Sequence, residues 1–488
     1  MLFRRIKLLD FDCEKYNLRA FNKHMPAEEL HNKCGVFAIY NHKKAAELTY
    51  FGLYSLQHRG QESAGIATSD GRHIHVYKNM GLINEVFSRR DVFYNLKGRM
   101  AIGHNRYSTT GSSQFLNAQP LVSRFKGYEI AVGHNGNITN AYTLRKKLES
   151  GGAIFQTTSD SEIFLHLIAR SKKKKMSDKI ISALRQIQGA YCVTFLTKEA
   201  VYAARDPRGF RPLALGRMRN AYVIASETCA FDLIGAKYVR DILPGEIVRI
   251  DESGLKSFHP FEQIRKAFCI FEFIYFSRPD SKIFCENVDK VRRRLGRQLA
   301  REHPVEADIV ISVPDSSNTA ALGFSEASGI RMEIGFIRNH YVGRTFIDPE
   351  QKIRDLDVKI KFNTVKGVIE GRRVVMVDDS IVRGTTSRKL VKLLKQAGAK
   401  EVHVRISAPP IISPCFYGID MPTKRELIGS SKSIEQIRKY LGATSLGYLS
   451  IEGMLSMNSL PDEDFCVACF SGKYPTRIEK KNGKFKLE

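Results

Sequence analysis

The sequence contains no apolar run of the roughly 18 residues that a membrane-spanning helix requires. Its N-terminal segment, MLFRRIKLLDFD, has an apolar patch that is too short and too acidic for a secretory signal. Internal repeats, low-complexity segments and known nucleic-acid-binding modules are also missing. These absences favour a cytoplasmic protein that acts neither in a membrane nor on nucleic acid.

Acidic residues are in short supply. The chain has 51 Asp and Glu against 77 Lys and Arg, which gives a formal net charge of +26. Such an excess attracts polyanions or phosphorylated small molecules. The basic residues are spread along the chain apart from the run Lys172 to Lys175, which we expect to be a solvated helix end or loop.

The 488 residues are too many for one hydrophobic core, so two domains are expected. Residues 34–260 read as short β-rich runs and a few helices separated by Gly and Asn turns, an α+β pattern. In residues 261–488 helices alternate with wholly apolar strands. This pattern predicts an α/β domain with a parallel sheet covered on both faces. The chain end is expected to pack back onto the two domains rather than to form a third.

The most specific motif of the second half is VDDSIVRGTTS. A buried strand ends at Asp378 and Asp379, and a Gly-Thr-Thr loop leads from there into an amphipathic helix. Ligands of open α/β sheets bind at this edge. Gly384 lets the backbone approach closely, and the helix N-terminus offers N–H groups to a phosphate. The two aspartates would then reach sugar hydroxyls or a Mg²⁺ ion.

This motif resembles the phosphoribosyl-pyrophosphate (PRPP) signature of the type I phosphoribosyltransferases. The resemblance implies that Ser316, in the turn of VPDSSNTA, helps Asp378 and Asp379 to hold one Mg²⁺ per subunit. The polar segment RNHYVGRTFIDP suits a flexible flap over a polyphosphate, and an ordinary surface loop is the alternative. The implied PRPP-binding set is Asp378, Asp379, Arg383, Gly384, Thr385, Thr386, Ser387 and, in the flap, Arg344.

Cys34 stands at the border between a polar stretch and the apolar run GVFAIY. A buried cysteine is ordinarily a small hydrophobe. The polar clusters in QHRGQESAGI, GHNRYSTTG, GHNGNITN and TTSDSEI are each typical of turns or caps. Together with Cys34 they resemble the glutamine amidotransferases of the N-terminal-nucleophile class, whose glutaminase domain is an αββα sandwich.

The resemblance implies roles for five residues in releasing ammonia from glutamine. Cys34 attacks the amide, and its own free α-amino group serves as the base. The Asn135 side chain and the Gly136 N–H form the oxyanion hole. Arg106 pairs with the α-carboxylate of glutamine, and Asp160 pairs with its α-ammonium group.

A free α-amino group on Cys34 requires that residues 1–33 are removed as a leader, for example by self-cleavage. Met25 is an alternative start of the chain and would leave a shorter leader. The sequence leaves both possibilities open.

Nine cysteines in a cytoplasmic chain are better explained as thiols or metal ligands than as a disulfide framework. Cys466 and Cys469 form a C-x-x-C pair, whereas Cys269 and Cys415 stand alone beside aromatic, strand-like neighbours. A four-thiolate site is possible only if the fold brings these segments together. On spacing alone, zinc would suit such a site as well as an iron–sulfur cluster.

The order of the two domains resembles the amidophosphoribosyltransferase family, through motifs such as YFSRPDS, PCFYGID and SLGYLS. The family branch with a cleaved leader implies one 4Fe-4S cluster per subunit, bound by Cys269, Cys415, Cys466 and Cys469. The resemblance also implies glutamine and PRPP as substrates and 5-phosphoribosylamine as product, in the first committed step of purine biosynthesis. Purine nucleotides as inhibitors and a homotetramer are further expectations.

Two other functions agree with parts of the sequence. An amidotransferase that acts on a sugar phosphate such as fructose 6-phosphate would share the first half but lack the DDSIVRGTT unit. A regulator that senses PRPP and binds DNA would agree with the charge of +26. Such a regulator has no use for the glutaminase set formed by Cys34, Arg106, Asn135 and Asp160.

Overall fold

The structure is a computed structural model that describes residues 34–107, 112–339 and 361–479. The expected leader and the expected flap residue Arg344 lie outside the described residues.

The first half of the chain folds into strands and short helices. The strands are β1 (Gly35–Tyr40), β2 (Ser63–Ser69), β3 (Ile74–Met80), β4 (Met100–Arg106), β5 (Leu121–Phe125), β6 (Tyr128–Ile138), β7 (Gly189–Thr197), β8 (Val201–Arg205), β9 (Ala214–Met218), β10 (Ala221–Ala225), β11 (Lys237–Asp241), β12 (Ile247–Asp251) and β13 (Gly254–Phe258). The helices are α1 (Ala45–Ser55), α2 (Ile83–Val86), α3 (Asp91–Asn95), α4 (Ala141–Ser150), α5 (Glu162–Arg170), α6 (Met176–Leu184) and α7 (Cys229–Ile234).

Two antiparallel sheets pack face to face in this half. Their strand orders are β11-β9-β10-β1-β4-β2-β3 and β13-β12-β8-β7-β6-β5. Alternate residues of β1 explain the layers: Val36 and Ala38 face the second sheet, whereas Phe37 and Ile39 pack beneath α1. Helices α5 and α6 cover the outer face of the second sheet. The predicted αββα sandwich is confirmed.

The second half contains the remaining elements. The strands are β14 (Phe268–Cys269), β15 (Lys282–Ile283), β16 (Glu286–Asn287), β17 (Ile309–Ser312), β18 (Phe336–Arg338), β19 (Phe362–Thr364), β20 (Arg373–Asp378), β21 (Glu401–Ile406), β22 (Ser445–Tyr448) and β23 (Phe465–Cys466). The helices are α8 (Val288–Glu302), α9 (Asn318–Ser328), α10 (Lys366–Ile369), α11 (Thr385–Gln396), α12 (Ile428–Ser431), α13 (Ile434–Leu441), α14 (Ile451–Leu455) and α15 (Ala468–Ser471).

A parallel sheet of order β17-β20-β21-β22 forms the centre of the second half. Helices α8 and α9 cover one face, and α11 and α13 cover the other. The helices therefore shield both faces of the sheet from solvent, which is why these strands are wholly apolar. The predicted α/β domain with a parallel sheet is confirmed.

The chain end packs back onto the second domain, as the sequence predicts. Strand β22 joins the parallel sheet, and β23 pairs with β14. The expected boundary between residues 260 and 261 falls in the segment between β13 and β14. Lys172 to Lys175 form an exposed loop between α5 and α6. Every helix in the three described ranges is too short or too polar to cross a membrane.

Candidate active sites

Cys34 lies immediately before β1 and is only 6% exposed. Its backbone N–H donates to the carbonyl oxygen of Arg59 over 3.1 Å, and its thiol donates to the carbonyl oxygen of Tyr107 over 3.6 Å. Burial raises the pKa of this thiol to about 11, an effect that the hydrogen bond and the Arg106 charge only partly offset. The thiol is therefore protonated at neutral pH and needs a base before it can attack.

Asn135 and Gly136 lie side by side in β6. Among the described residues, neither amide atom of the fully buried Asn135 side chain has a hydrogen-bond partner. Gly136 has a φ of 153°, and a Cβ there would come within 2.0 Å of the Ala190 carbonyl oxygen. Buried polar atoms without partners are uncommon and require an explanation. One explanation is that the side-chain N–H group of Asn135 can donate to an oxyanion that develops during a reaction.

Arg106 and Asp160 are both buried close to Cys34. Arg106 Nη1 lies 3.7 Å from Glu62 Oε2, and the carboxylate of Asp160 accepts the Ile138 N–H over 2.9 Å. The charges of Arg106, Glu62 and Asp160 all act on the pKa of the Cys34 thiol. The fold thus gathers one guanidinium and two carboxylates around the thiol, which matches a zwitterionic amino acid.

A buried ion network beneath Cys34 was not predicted. Arg59 is completely buried, and its Nε donates to the Cys34 carbonyl oxygen over 3.4 Å. Its two terminal nitrogens donate to Glu227 and, over 2.8 Å, to Glu272. Taken alone, the HRG motif is typical of a turn or cap and does not indicate a buried ion pair. A charged residue inside the apolar run CIFEFIYF was the available signal for Glu272.

In the second domain, Asp378 and Asp379 stand at the carboxyl end of β20 and are 7% and 6% exposed. Ser316 Oγ donates to Asp379 over 2.5 Å, and Ser317 Oγ donates to Asp378 over 3.2 Å. Gly384, with a φ of 79°, precedes the first turn of α11. The strand end, the loop and the helix N-terminus therefore meet as the sequence predicts.

One pocket contains every predicted PRPP-binding residue that the structure describes. Ser316 and the loop that holds Arg383, Gly384 and Thr385 line it. The pocket lining also includes residues that the sequence analysis missed, namely Tyr275, Arg338 and Lys361. Two of these are cations, which suits a polyphosphate.

A single turn, Glu272–Phe276, lies between the two sites. Glu272 at its start binds Arg59 beneath Cys34, and Tyr275 near its end lines the pocket of the second domain. The buried Arg292 donates to the carbonyl oxygens of Phe273 and Ser277 over 2.6 and 2.8 Å. The two sites therefore share one rigidly bonded segment.

Comparison with known proteins decides the family. The model of the family described as "Glutamine amidotransferase domain" matches residues 104–232. The amidophosphoribosyltransferase of Bacillus subtilis is 51% identical over 454 residues, which cover 92% of this chain and 95% of that protein. The chain belongs to the amidophosphoribosyltransferase family. It is therefore an enzyme that is both a glutamine amidotransferase and a pentosyltransferase, and it acts in the first step of purine biosynthesis.

Other amidophosphoribosyltransferases agree with this assignment. The Methanocaldococcus jannaschii protein is 48% identical, with 91% of this chain and 98% of that protein covered. The solved structure of the glutamine PRPP amidotransferase from B. subtilis, complexed with ADP and GMP, superimposes with a TM-score of 0.89 at 50% identity. The superposition covers 93% of this chain and all of the B. subtilis chain.

The amidophosphoribosyltransferase fold brings together the three segments that carry the four cysteines. Cys269 and Cys466 are direct partners in the parallel pair of β14 and β23. The carbonyl oxygen of Cys469 accepts the N–H groups of Ile412 and Ser413, close to Cys415. Burial raises the pKa of Cys269 to about 12, and the Cys415 charge adds to this rise.

In the described ranges, no group of three or more His, Cys, Asp or Glu is arranged to hold a metal ion. Cysteine thiolates are ligands of both zinc and iron–sulfur clusters, so the residue types present fit either group.

Proposed function

We propose that the chain forms 5-phosphoribosylamine, glutamate and diphosphate from glutamine, PRPP and water. Ammonia released at Cys34 would pass within the molecule to the PRPP site. The turn Glu272–Phe276, which touches both sites, is the observation that carries this proposal.

Glutamine would bind over Cys34, with its α-carboxylate on Arg106 and its α-ammonium group on Asp160. Because the thiol is protonated at neutral pH, a base must take its proton. The α-amino group of a mature Cys34 would do so and would later return the proton to the departing ammonia. The partnerless Asn135 amide and the Gly136 N–H would stabilise the oxyanion.

Maturation of the N-terminus is part of this proposal. The α-amino group of Cys34 becomes free only when residues 1–33 are removed, or residues 25–33 if the chain starts at Met25. Intact-mass measurement and N-terminal sequencing of purified protein should show a chain that starts at Cys34. Full activity in a chain that retains the preceding residues would contradict the assigned base.

PRPP would bind in the pocket of the second domain. The N–H groups at the start of α11 and the hydroxyls of Thr385, Thr386 and Ser387 would bind its 5-phosphate. Asp378 and Asp379 would face the ribose hydroxyls, and Arg344 would reach the diphosphate.

The oxygens of Asp378, Asp379 and Ser316 fit a Mg²⁺ ion, because they are hard ligands that line one pocket, where Ser316 Oγ already donates to Asp379. When bound, Mg²⁺ would neutralise the charge of the leaving diphosphate.

A 4Fe-4S cluster on Cys269, Cys415, Cys466 and Cys469 is also proposed. Its support is that the fold brings together the three segments that carry the four thiols, three of which are buried. The cluster would be mainly structural and labile to oxygen. Zinc remains the other candidate for this site.

Regulation, assembly and location are proposed by similarity. The B. subtilis glutamine PRPP amidotransferase was solved with ADP and GMP, so purine nucleotides are the expected inhibitors here. A homotetramer and a cytoplasmic location stay predictions from the sequence.

Two variants test the division of labour between the domains. Cys34→Ser should abolish glutamine-dependent synthesis yet retain synthesis from ammonium salts at alkaline pH. The double change Asp378→Ala with Asp379→Ala should abolish synthesis from either nitrogen source. Cys285→Ser, a change at an exposed cysteine, serves as the control and should preserve both.

Coupled assays with glutamine or ammonium salts measure the outcome. Ammonia-dependent turnover that survives the double aspartate change would refute the PRPP assignment. Glutamine hydrolysis that never responds to PRPP would favour the sugar-phosphate reaction.

A further inference from the structure

Arg292 in helix α8 is bonded to the turn Glu272–Phe276 and to the residue that follows it. Its charged side chain is buried, with only 2% of the residue exposed. Arg292 Nε donates to the Phe273 carbonyl oxygen over 2.6 Å, and Nη2 donates to the Ser277 carbonyl oxygen over 2.8 Å. A planar guanidinium makes both bonds at once, so it fixes the two carbonyls relative to each other.

The turn ends where the side chains of two charged residues replace a backbone hydrogen bond. Its last backbone bond spans five residues and measures 3.1 Å. The same spacing would join the Arg278 N–H to the Phe273 carbonyl oxygen. Instead, the Arg278 N–H donates to the carboxylate of Glu227 over 2.9 Å, and the Phe273 carbonyl accepts from Arg292. Arg292 therefore supplies a buried bond that the backbone does not make.

Both ends of the turn are bonded to the ion network beneath Cys34. Glu272 at its start accepts from Arg59 over 2.8 Å, and Arg59 donates to the Cys34 carbonyl oxygen. The backbone N–H just after its end donates to Glu227, which also accepts from Arg59. Between these ends, Tyr275 lines the pocket of the second domain. A shift of the turn would therefore be felt at both sites.

The charge of Arg292 also interacts with both sites. Burial lowers the pKa of Arg292 to about 10, and the carboxylates of Asp379 and Glu227 partly offset this effect. Asp379 lines the pocket of the second domain, whereas Glu227 belongs to the network beneath Cys34. The guanidinium therefore stays charged at neutral pH, between carboxylates of the two sites.

We propose that Arg292 is a positioning residue that holds the turn Glu272–Phe276 in place, so that ammonia released at Cys34 reaches the PRPP site instead of escaping to solvent. This inference rests on the proposed function. Without Arg292, the carbonyls of Phe273 and Ser277 would lose their buried donors. The turn would then open more often, and ammonia would leave through the gap.

The variants Arg292→Lys and Arg292→Gln test this role. Lysine keeps the charge but lacks the planar fork that reaches both carbonyls, and glutamine removes the charge. Arg405→Lys and Arg405→Gln are the matched controls. Arg405 is 4% exposed, burial likewise lowers its pKa to about 10, and it donates to the backbone carbonyls of His303 and Val404.

Each protein is assayed with glutamine, saturating PRPP and Mg²⁺, without added ammonium salt. Glutamate and the trapped amine product are both measured, because their ratio does not depend on the concentration of folded enzyme. A residue that only stabilises the fold would lower both rates together and leave the ratio unchanged. Synthesis from saturating ammonium salt at alkaline pH measures the second site by itself.

Wild-type protein and both Arg405 variants should form glutamate and the amine product in equal amounts. Both Arg292 variants should form about twice as much glutamate as amine product or more, because losing a buried hydrogen bond raises the population of an opened turn about fivefold. Their synthesis from ammonium salt should be retained. If Arg292→Gln does not fold, Arg292→Lys gives the same comparison.

Equal amounts of the two products in the Arg292 variants would overturn the inference and leave the proposed function intact. A loss of ammonia-dependent synthesis as large as the loss of coupling would also overturn it, since Arg292 would then act on the PRPP reaction itself. Failure of both Arg292 variants to fold would assign Arg292 to general stability and overturn it too. Excess glutamate in wild-type protein would instead refute the proposed passage of ammonia, and the inference with it.

Discussion

The buried ion network explains how Cys34 is kept in place inside the protein. Glu227 accepts His58 Nε2 over 2.7 Å and Ser281 Oγ over 2.7 Å, in addition to its bond from Arg59. Burial alone would raise the pKa of Glu227, but the charges of His58 and Arg59 outweigh burial and hold its pKa well below the usual range. The carboxylate therefore stays ionised and joins the two domains.

Glu227→Gln should lower the free energy of unfolding by about 3–5 kcal/mol at neutral pH, because Arg59 keeps only its pair with Glu272, which the buried Arg211 also uses, so a buried positive charge is left in excess. The folded-state pKa of Glu227 lies below its unfolded value of 4.5, so this stabilisation is complete above about pH 4.5. It is lost progressively as the pH falls further. Chemical denaturation at several pH values measures the difference.

Glu435→Gln is the control, since Glu435 pairs with Arg438 on the surface. Its unfolding free energy should be unchanged. Equal effects of the two substitutions would contradict a structural role for the buried network.

Single residues differ in how far the sequence could predict them. Cys34, Asn135 and Asp160 stand in motifs whose chemistry requires those residue types. Arg59 stands in a motif too, but its partners Glu227 and Glu272 are 168 and 213 positions away. Ion pairs over such distances depend on the tertiary fold, and no local pattern indicates them.

Among the elements, the loop between β20 and α11 has the most specific proposed function, the binding of the PRPP 5-phosphate. Gly384 has a φ of 79°, and a Cβ there would lie 3.0 Å from Ile428 Cδ1 and 3.2 Å from the Tyr440 ring. A side chain at this position would strain the backbone and shift the N–H groups that are proposed to bind the 5-phosphate of PRPP.

Gly384→Ala should raise the KM for PRPP about tenfold, since left-handed backbone costs a residue with a Cβ about 1–2 kcal/mol. Gly329→Ala is the control, because Gly329 has a φ of 71° and open space around it. The Gly329→Ala variant should lose a similar amount of stability but keep the wild-type KM for PRPP. Equal KM values in the two variants would contradict the phosphate loop.

The strands and helices themselves were largely predictable. Apolar strands such as β17 and β20 and the amphipathic α11 have clear patterns. Strand β22 was missed, because its sequence SLGY is short and contains Gly447. The structure gives the reason for that glycine: a Cβ would lie 2.6 Å from the His303 ring. Close packing against His303, which is distant in the sequence, therefore requires glycine at position 447.

In the molecule as a whole, a cluster bound by the four cysteines would join three distant segments. Closing loops of this length lowers the entropy of the unfolded chain and so stabilises the folded protein, although the measured stabilisation correlates only weakly with loop length. Protein purified without air should be brown, with about four irons per chain and broad absorbance near 400 nm.

Oxidation of the cluster should expose the chain after residue 450 to proteases, which limited proteolysis with mass spectrometry measures. Colourless protein with one zinc per chain would refute the cluster but would show that a metal joins the three segments. Metal-free protein of full activity and unchanged stability would refute both the cluster and a joining metal.

The central claim is that ammonia made at Cys34 is used at the PRPP site of the same molecule. The most direct test supplies glutamine with a heavy isotope in its amide nitrogen, together with PRPP, Mg²⁺ and an excess of unlabelled ammonium salt at neutral pH. The amine product is trapped, and its label is measured by mass spectrometry. If ammonia passes within the molecule, the product should carry the glutamine label almost undiluted. A product whose label is diluted to the proportion of the surrounding ammonia would contradict it.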